Sequence, residues 1–249
     1  MITGILVTGE GNSDMGGPTN SQPISTGESY NLGPMALIAI RLIQRLLPEW
    51  NEEYLDFNSP NTWVTLISGN ELARQTKGIQ KHRPSKKLQK GFVWHANRAT
   101  QMALYAKENG HQLSIYFHDT DKFNYEHLHK AVKHGFDYVE GIQGVPMIPK
   151  PTSEAWLICG RKEDPYAHCT ALETDLSGND AASHQNAPKK VLGRLLGLEN
   201  GREPTTELQY AEAERVDISK IDMPSYNRFK EDLTSAITAI CGYGTARTL

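Results

Sequence analysis

Residues 2–11 read ITGILVTGEG, and residues 113–121 read LSIYFHDTD. Each is a short apolar run that stops abruptly at acidic residues. Runs of this length bounded by Gly and Asp read as buried strands. The first ends at Gly9-Glu10-Gly11 and the second at His118-Asp119-Thr120-Asp121. Between and after them the pattern alternates. Pro34 opens an apolar helix that runs from Met35 to Leu47 and stops before Pro48, the arrangement expected of a proline at a first helical position and another just beyond the end. Trp63 to Ile67 forms a second strand. Phe92, Val93, Ala96, Ala99, Met102, Ala103 and Ala106 recur at helical spacing up to Asn109, with Gly110 where a C-cap glycine belongs. A helix follows Asp121 through about Lys133. A fourth strand lies within Phe136–Ile148, broken by Gly141 and Gly144. Ser153 is expected to cap a short helix through Ile158. Strands alternating with helices predict an α/β fold, a mostly parallel sheet with helices on both faces.

The remainder is organised around this frame. Residues 11–33, rich in Gly, Ser, Asn and Pro, are expected to form a loop, and 160–187 a polar excursion. Helical patterns at 187–198, 204–213 and 225–240 make the last third helical. The expected organisation is an α/β domain over residues 1–160 and a mainly helical C-terminal extension over 161–249 packed on it. Phe229 and Leu233 share one face of the last helix, as core residues or as a docking surface.

The 249-residue chain has a formal net charge of −3, which excludes coating nucleic acid by bulk charge and leaves local patches or a metal site. Its three cysteines, Cys159, Cys169 and Cys241, are odd in number and contain no C-x-x-C pair, so neither a disulfide framework nor a structural zinc site is expected. There is no signal-peptide pattern and no apolar stretch long enough for a bilayer, so a cytoplasmic protein with no membrane partner is expected.

In a parallel α/β sheet the ligand site lies outside the carboxyl ends of the strands. Glu10, Asp119 and Asp121 fall there. On strand alternation, Asp119 and Asp121 share a face and reach one ion. Three hard oxygen donors suit Mg²⁺ or Mn²⁺. Any single acid after a strand also serves as an N-cap or solvated loop residue. Three at matching strand ends favour a site. Lys122 and Lys150 flank the acids, either as surface lysines or as groups that stabilise charge on a reacting phosphate. His118 alternates away from Asp119 and is expected to be a structural, hydrogen-bonded histidine. His127 and His129 do not share a helix face and make no metal pair. No P-loop lysine follows the glycines at 9, 11, 16 and 17, and no nucleophile elbow is present.

Lys77, Lys81, Arg83, Lys86, Lys87 and Lys90, with Arg74 and His82, form a stretch without an acidic residue. It either grips nucleic-acid phosphates or is a solvated face. The helical spacing after it predicts core packing for Trp94.

The ordered pattern Gly9-Glu10-Gly11-Asn12-Ser13-Asp14, then Asp119-Thr120-Asp121, resembles the Toprim domain of topoisomerases, primases and the overcoming-lysogenization-defect nucleases. Pro149-Lys150-Pro151-Thr152-Ser153-Glu154-Ala155-Trp156-Leu157 looks like the Glu-Ala-Trp-Leu segment of a bacterial Toprim-like family encoded beside ATPases and associated with phage defence. The resemblance covers roughly residues 1–160. It implies a Toprim-like (Rossmann-like) fold and a Mg²⁺- or Mn²⁺-dependent nuclease acting on DNA or RNA, with an ATPase partner. It makes Glu10 the metal-binding or acid/base glutamate and Asp119 and Asp121 metal ligands. It adds Glu154 as an auxiliary acid and Asp14 as the second acidic position of the first motif. The long 11–33 segment departs from the pattern and bears on Asp14. Two alternatives stand beside the nuclease: a non-catalytic subunit docked on an ATPase, and phosphoryl transfer to a small molecule or nucleotide as in primases.

Overall fold

The computed structural model describes residues 2–47, 55–86, 88–121, 123–176, 185–199 and 202–242. Pro48, Lys87 and Lys122 lie outside the described residues. The strands are β1 (Ile5–Thr8), β2 (Gly16–Pro18), β3 (Ile24–Ser25), β4 (Tyr30–Leu32), β5 (Val64–Ile67), β6 (Leu113–Phe117) and β7 (Gln143–Met147). The helices are α1 (Pro34–Leu46), α2 (Gly69–Gln75), α3 (Val93–Glu108), α4 (Tyr125–Phe136), α5 (Ser153–Arg161), α6 (Cys169–Asp175), α7 (Pro188–Leu195), α8 (Thr206–Arg215) and α9 (Pro224–Cys241).

Five strands form one sheet in the order β3-β5-β1-β6-β7. β5, β1, β6 and β7 are parallel, and the two-residue β3 pairs antiparallel on the edge of β5. Every residue of β1 and β6 is buried. That is the signature of a parallel sheet covered on both faces. Alternation divides the side chains. Ile5, Val7, Ile115, Phe117, Val145 and Met147 enter one core with α1 and α5, while Leu6, Ile67 and Tyr116 enter the other with α2, α3 and α4. The α/β architecture with helices on both faces is therefore present.

On the second face, α3 presents Ala96, Ala99, Ala103 and Ala106, a thin stripe that lets α4 approach closely. A Cβ on Gly135 would stand 2.2 Å from the Ala96 carbonyl oxygen. Thr100 Oγ1 donates to the Gly135 carbonyl at 2.8 Å across the same contact. On the first face, residues beyond 161 complete the core begun by the earlier elements: Leu172, Val191, Leu192, Ala213, Phe229 and Leu233 join the cluster of β1 and α1. Trp156 is fully buried there, with Tyr226 and Phe229 rings at 5.1 and 5.8 Å and its indole N–H donating to Ser225 Oγ at 3.0 Å. Loss of such a side chain costs about 3–5 kcal/mol. Phe229 and Leu233 are 1% and 0% exposed, so this face of α9 is core and is not a docking surface.

Several sequence expectations are corrected. Residues 11–33 are not a plain loop: β2 and β4 pair antiparallel, and β3 joins the main sheet. Strands of two or three residues rich in Gly and Pro carry no readable period. Gly16 takes φ +90 and its Cβ position lies 2.0 Å from the Asn31 carbonyl oxygen, which explains the glycine. The excursion after 160 contains α6. Cys159 and Cys169 form a disulfide with Cα atoms 5.1 Å apart, against the expectation from cysteine arithmetic. The chain turns back after α5 through Lys162, in the left-handed region at φ 53, and brings the two together. Among the described residues no helix is long and apolar enough to cross a membrane.

Candidate metal centre

The acids gather beyond the carboxyl ends of β1, β6 and β7. The segment after β6 is pinned to the segment after β7. The His118 N–H donates to the Met147 carbonyl at 3.1 Å, prolonging the ladder by one residue. The Thr120 N–H and hydroxyl both donate to the Pro149 carbonyl, at 3.0 and 2.6 Å, and the Asp121 N–H to the Pro151 carbonyl at 3.0 Å. Asp121 sits at φ 46, in the left-handed region. Strand alternation therefore does not govern Asp119 and Asp121. A turn does, and Asp121 is exposed while Asp119 is partly buried.

Ser153 joins the cluster together. Its N–H donates to Asp119 Oδ1 at 2.9 Å and its hydroxyl to Asp14 Oδ1 at 2.6 Å. Ser13 Oγ donates to the other Asp14 oxygen at 2.9 Å. Ser153 is thus the first residue of α5 and not its cap, which is Thr152. The Asp119 carboxylate lies at the positive end of α5. Glu154, one residue further, is 2% exposed, and its Oε2 accepts from Thr152 Oγ1 at 2.7 Å.

The electrostatics show the crowding. Burial, followed by the fields of Asp14, Glu154, Glu10 and Asp121, holds Asp119 well above the ordinary carboxylate range. Burial and then Asp14 push Glu154 up to about 7, against Thr152 and Lys189. Asp14 is raised by burial and by Glu10, opposed by the Ser153 and Ser13 hydrogen bonds and by Lys189. The structure thus brings Glu10, Asp14, Asp119, Asp121 and Glu154 into one field. Lys189 on α7 is a cation of that neighbourhood which sequence reasoning missed, because nothing local marks a lysine on a separate helix.

Glu10 is 38% exposed and its Oε1 contacts His118 Nδ1. The same nitrogen faces the Asp119 carbonyl at 2.6 Å. Both neighbours are acceptors, so Nδ1 carries the proton. His118 is buried and hydrogen-bonded as expected, but its partner is the candidate acid/base glutamate. The signal was present: a side chain alternating away from Asp119 on β6 can lean toward the end of the neighbouring β1. Trp94 is 36% exposed and not core. Its ring lies 5.7 Å from His118, with the Arg98 guanidinium 4.6 Å from its centre. Glu10, Arg98 and His118 line a narrow cleft with Gly9 and Gly69. A Cβ on Gly69 would meet the Gly9 carbonyl oxygen at 2.8 Å, so the close approach of α2 to the Glu10 turn requires glycine.

Lys150 lies away from this cluster's contacts. Its Nζ is 3.6 Å from Glu173 Oε2, and it lines a recess of about 730 Å³ with Tyr125, His129 and Arg228. The structure does not join it to the acids, and Lys122 lies outside the described residues. Lys77, Lys81, Arg83, Lys86 and Lys90 are exposed, and Lys87 is not described. Arg74, by contrast, is paired with Glu71 at 2.6 Å. Phe92, two residues after Lys90, packs on Phe123 at 5.8 Å, two residues after Asp121, so the basic segment runs up to the acidic turn.

Among the described residues no three His, Cys, Asp or Glu side chains converge closely enough to hold an ion as they stand. Asp119, Glu154 and Glu10 each point one oxygen at a protein donor, and Asp14 points both, at Ser153 and Ser13. The donor chemistry nonetheless fits Mg²⁺ or Mn²⁺: hard oxygens only, and an accumulation of negative charge that a divalent cation relieves. No family model, curated protein or solved structure matches the chain.

Proposed function

We propose that the chain is a Mg²⁺- or Mn²⁺-dependent, phosphodiester-cleaving nuclease of Toprim type. The observation that carries this reading is the gathering of five carboxylates at the carboxyl ends of parallel strands, with Asp119 raised by burial first and then by all four others. Asp14, Asp119, Asp121 and Glu154 would hold the ion with Glu10. A bound divalent ion would polarise a phosphoryl oxygen and stabilise the departing one. Glu10 is more accessible than Asp14, Asp119 and Glu154 and is contacted by His118, which supports a role in taking or giving a proton. Lys77, Lys81, Arg83, Lys86 and Lys90 would bind flanking phosphates of DNA or RNA. The exposed Trp94 ring offers a stacking surface for a base beside Glu10. A cytoplasmic role in ATPase-coupled phage defence rests on the sequence resemblance alone.

A second reading is favoured by one observation: Asp14, Asp119, Glu154 and Glu10 already hold protein donors. On that reading the acids are structural and the chain is a non-catalytic subunit of an ATPase. Its docking surface would not be the buried Phe229–Leu233 face.

The test is cleavage of plasmid, single-stranded DNA and RNA with Mg²⁺ or Mn²⁺, using wild type, Glu10→Ala and Asp119→Ala. Loss of an acid/base group costs about 100-fold or more in rate. Wild-type cleavage lost in both folded variants supports the nuclease. Cleavage retained in both removes it. A wild type inert on every substrate favours the subunit.

A further inference from the structure

We propose that a recess between α4 and α9 binds a small ligand carrying two or more phosphate groups, at a site separate from the acidic centre. The recess holds about 530 Å³. That is the size of a small-molecule pocket. Its charged wall is one-sided: Lys86 from the basic segment, Lys130 and Lys133 from α4 and Arg228 from α9, against Asp137.

The spacing on α4 places Lys130, Lys133 and Asp137 on one helix face. Neighbouring like charges at this spacing oppose helix formation. An acid one turn away commonly offsets them, and Asp137 stands one turn from Lys133. Yet no ion pair holds Lys86, Lys130 or Lys133 among the described residues. Lys133 is moreover only partly exposed.

The walls are fixed. Gln89 Nε2 meets His127 Nε2 at 2.8 Å and fastens the basic segment to α4. Asp232 Oδ2, 2.6 Å from His129 Nε2 and 3.7 Å from Arg228 Nε, anchors both. The Arg228 side chain remains 55% exposed. A guanidinium so held keeps N–H donors that two oxygens of a phosphate accept as a pair. Several cations at separate points of a concave wall suit a chain of linked phosphates, as in a nucleoside polyphosphate.

This inference does not rest on the nuclease reading. The test is calorimetric titration of the full chain with inorganic tripolyphosphate, with EDTA present so that the acidic centre contributes no metal-bridged binding. Wild type is compared with the Lys130→Glu/Lys133→Glu double variant, with Lys86→Glu on a separate segment, and with Asp119→Ala. The expected result is saturable one-to-one binding, weakened tenfold or more by the double variant and by Lys86→Glu, and unchanged in Asp119→Ala. If the double variant does not fold, Lys86→Glu decides. Absence of saturable binding, or unchanged affinity in the folded recess variants, overturns the proposal. So does uptake of an oligonucleotide without uptake of tripolyphosphate, which would make the recess part of a strand track. The cleavage assay turns on Glu10 and Asp119, outside this recess, so the failure of that reading and the failure of this proposal are distinguishable.

Discussion

The Ser153 hydroxyl donates to Asp14 Oδ1 at 2.6 Å, across 139 positions of sequence. The N–H of the same serine donates to Asp119, so one residue at the start of α5 joins the acids of the β1 and β6 turns. Ser153→Ala keeps the N–H and removes the hydroxyl. Hydrogen bonds to charged groups contribute about 1.5–3 kcal/mol. The variant should lose stability of that order, with a lower urea midpoint at unchanged m value. An unchanged midpoint would show that the link does not hold Asp14.

The raised acids set a pH dependence whose sign is definite. A carboxyl raised in the folded state favours the protonated form there, so the folded state binds more protons than the unfolded one. Stability then falls as pH rises through the window. For Glu154 that window runs from its ordinary value of 4.5 to about 7. With chelator present, wild-type Tm should fall across this range, and Glu154→Gln should flatten the fall. A slope identical in the two proteins would contradict the crowding described for the site.

Trp94 tests the approach of substrate. Stacking on an aromatic ring is worth about 1–3 kcal/mol per base. Trp94→Ala should weaken binding of a fluorescent single strand accordingly, while Trp94→Phe should retain most of it. Equal affinity in wild type and Trp94→Ala would take this ring off the strand path.

The Cys159–Cys169 link makes thiol content a sharp readout. Denatured protein should show one reactive thiol per chain before reduction and three after. Closing a loop of this size stabilises by about 2–4 kcal/mol. Reduction should lower the urea midpoint to match. Three thiols without reductant would mean that the pair is not joined in solution.

Much of the frame was legible because periodicity is local. LSIYF at 113–117, the alanine stripe of α3 and Pro34 at the head of α1 each carry their own signal. Glu10 and Asp119 were legible because strand ends define where a site lies. What escaped depends on tertiary approach. Ser153 looked like a cap, but its hydroxyl turns to Asp14. Asp121 followed a strand pattern on paper, and its left-handed φ broke it. Trp94 falls outside the Ala96-Ala99-Ala103-Ala106 stripe, so it faces solvent. Lys150 is near the acids in sequence but engages Glu173, while Lys189 enters their field from α7.

The most direct measurement is thermal unfolding of wild type and of the Asp119→Ala/Asp121→Ala double variant, titrated with Mn²⁺ and Mg²⁺. A ligand that binds the folded state alone raises its stability by mass action, about 2.7 kcal/mol at one hundred times its Kd. A saturable, metal-dependent rise in wild-type Tm that is lost in the double variant is expected. No rise in wild type at saturating metal, or the same rise in both proteins, would contradict the proposed metal site.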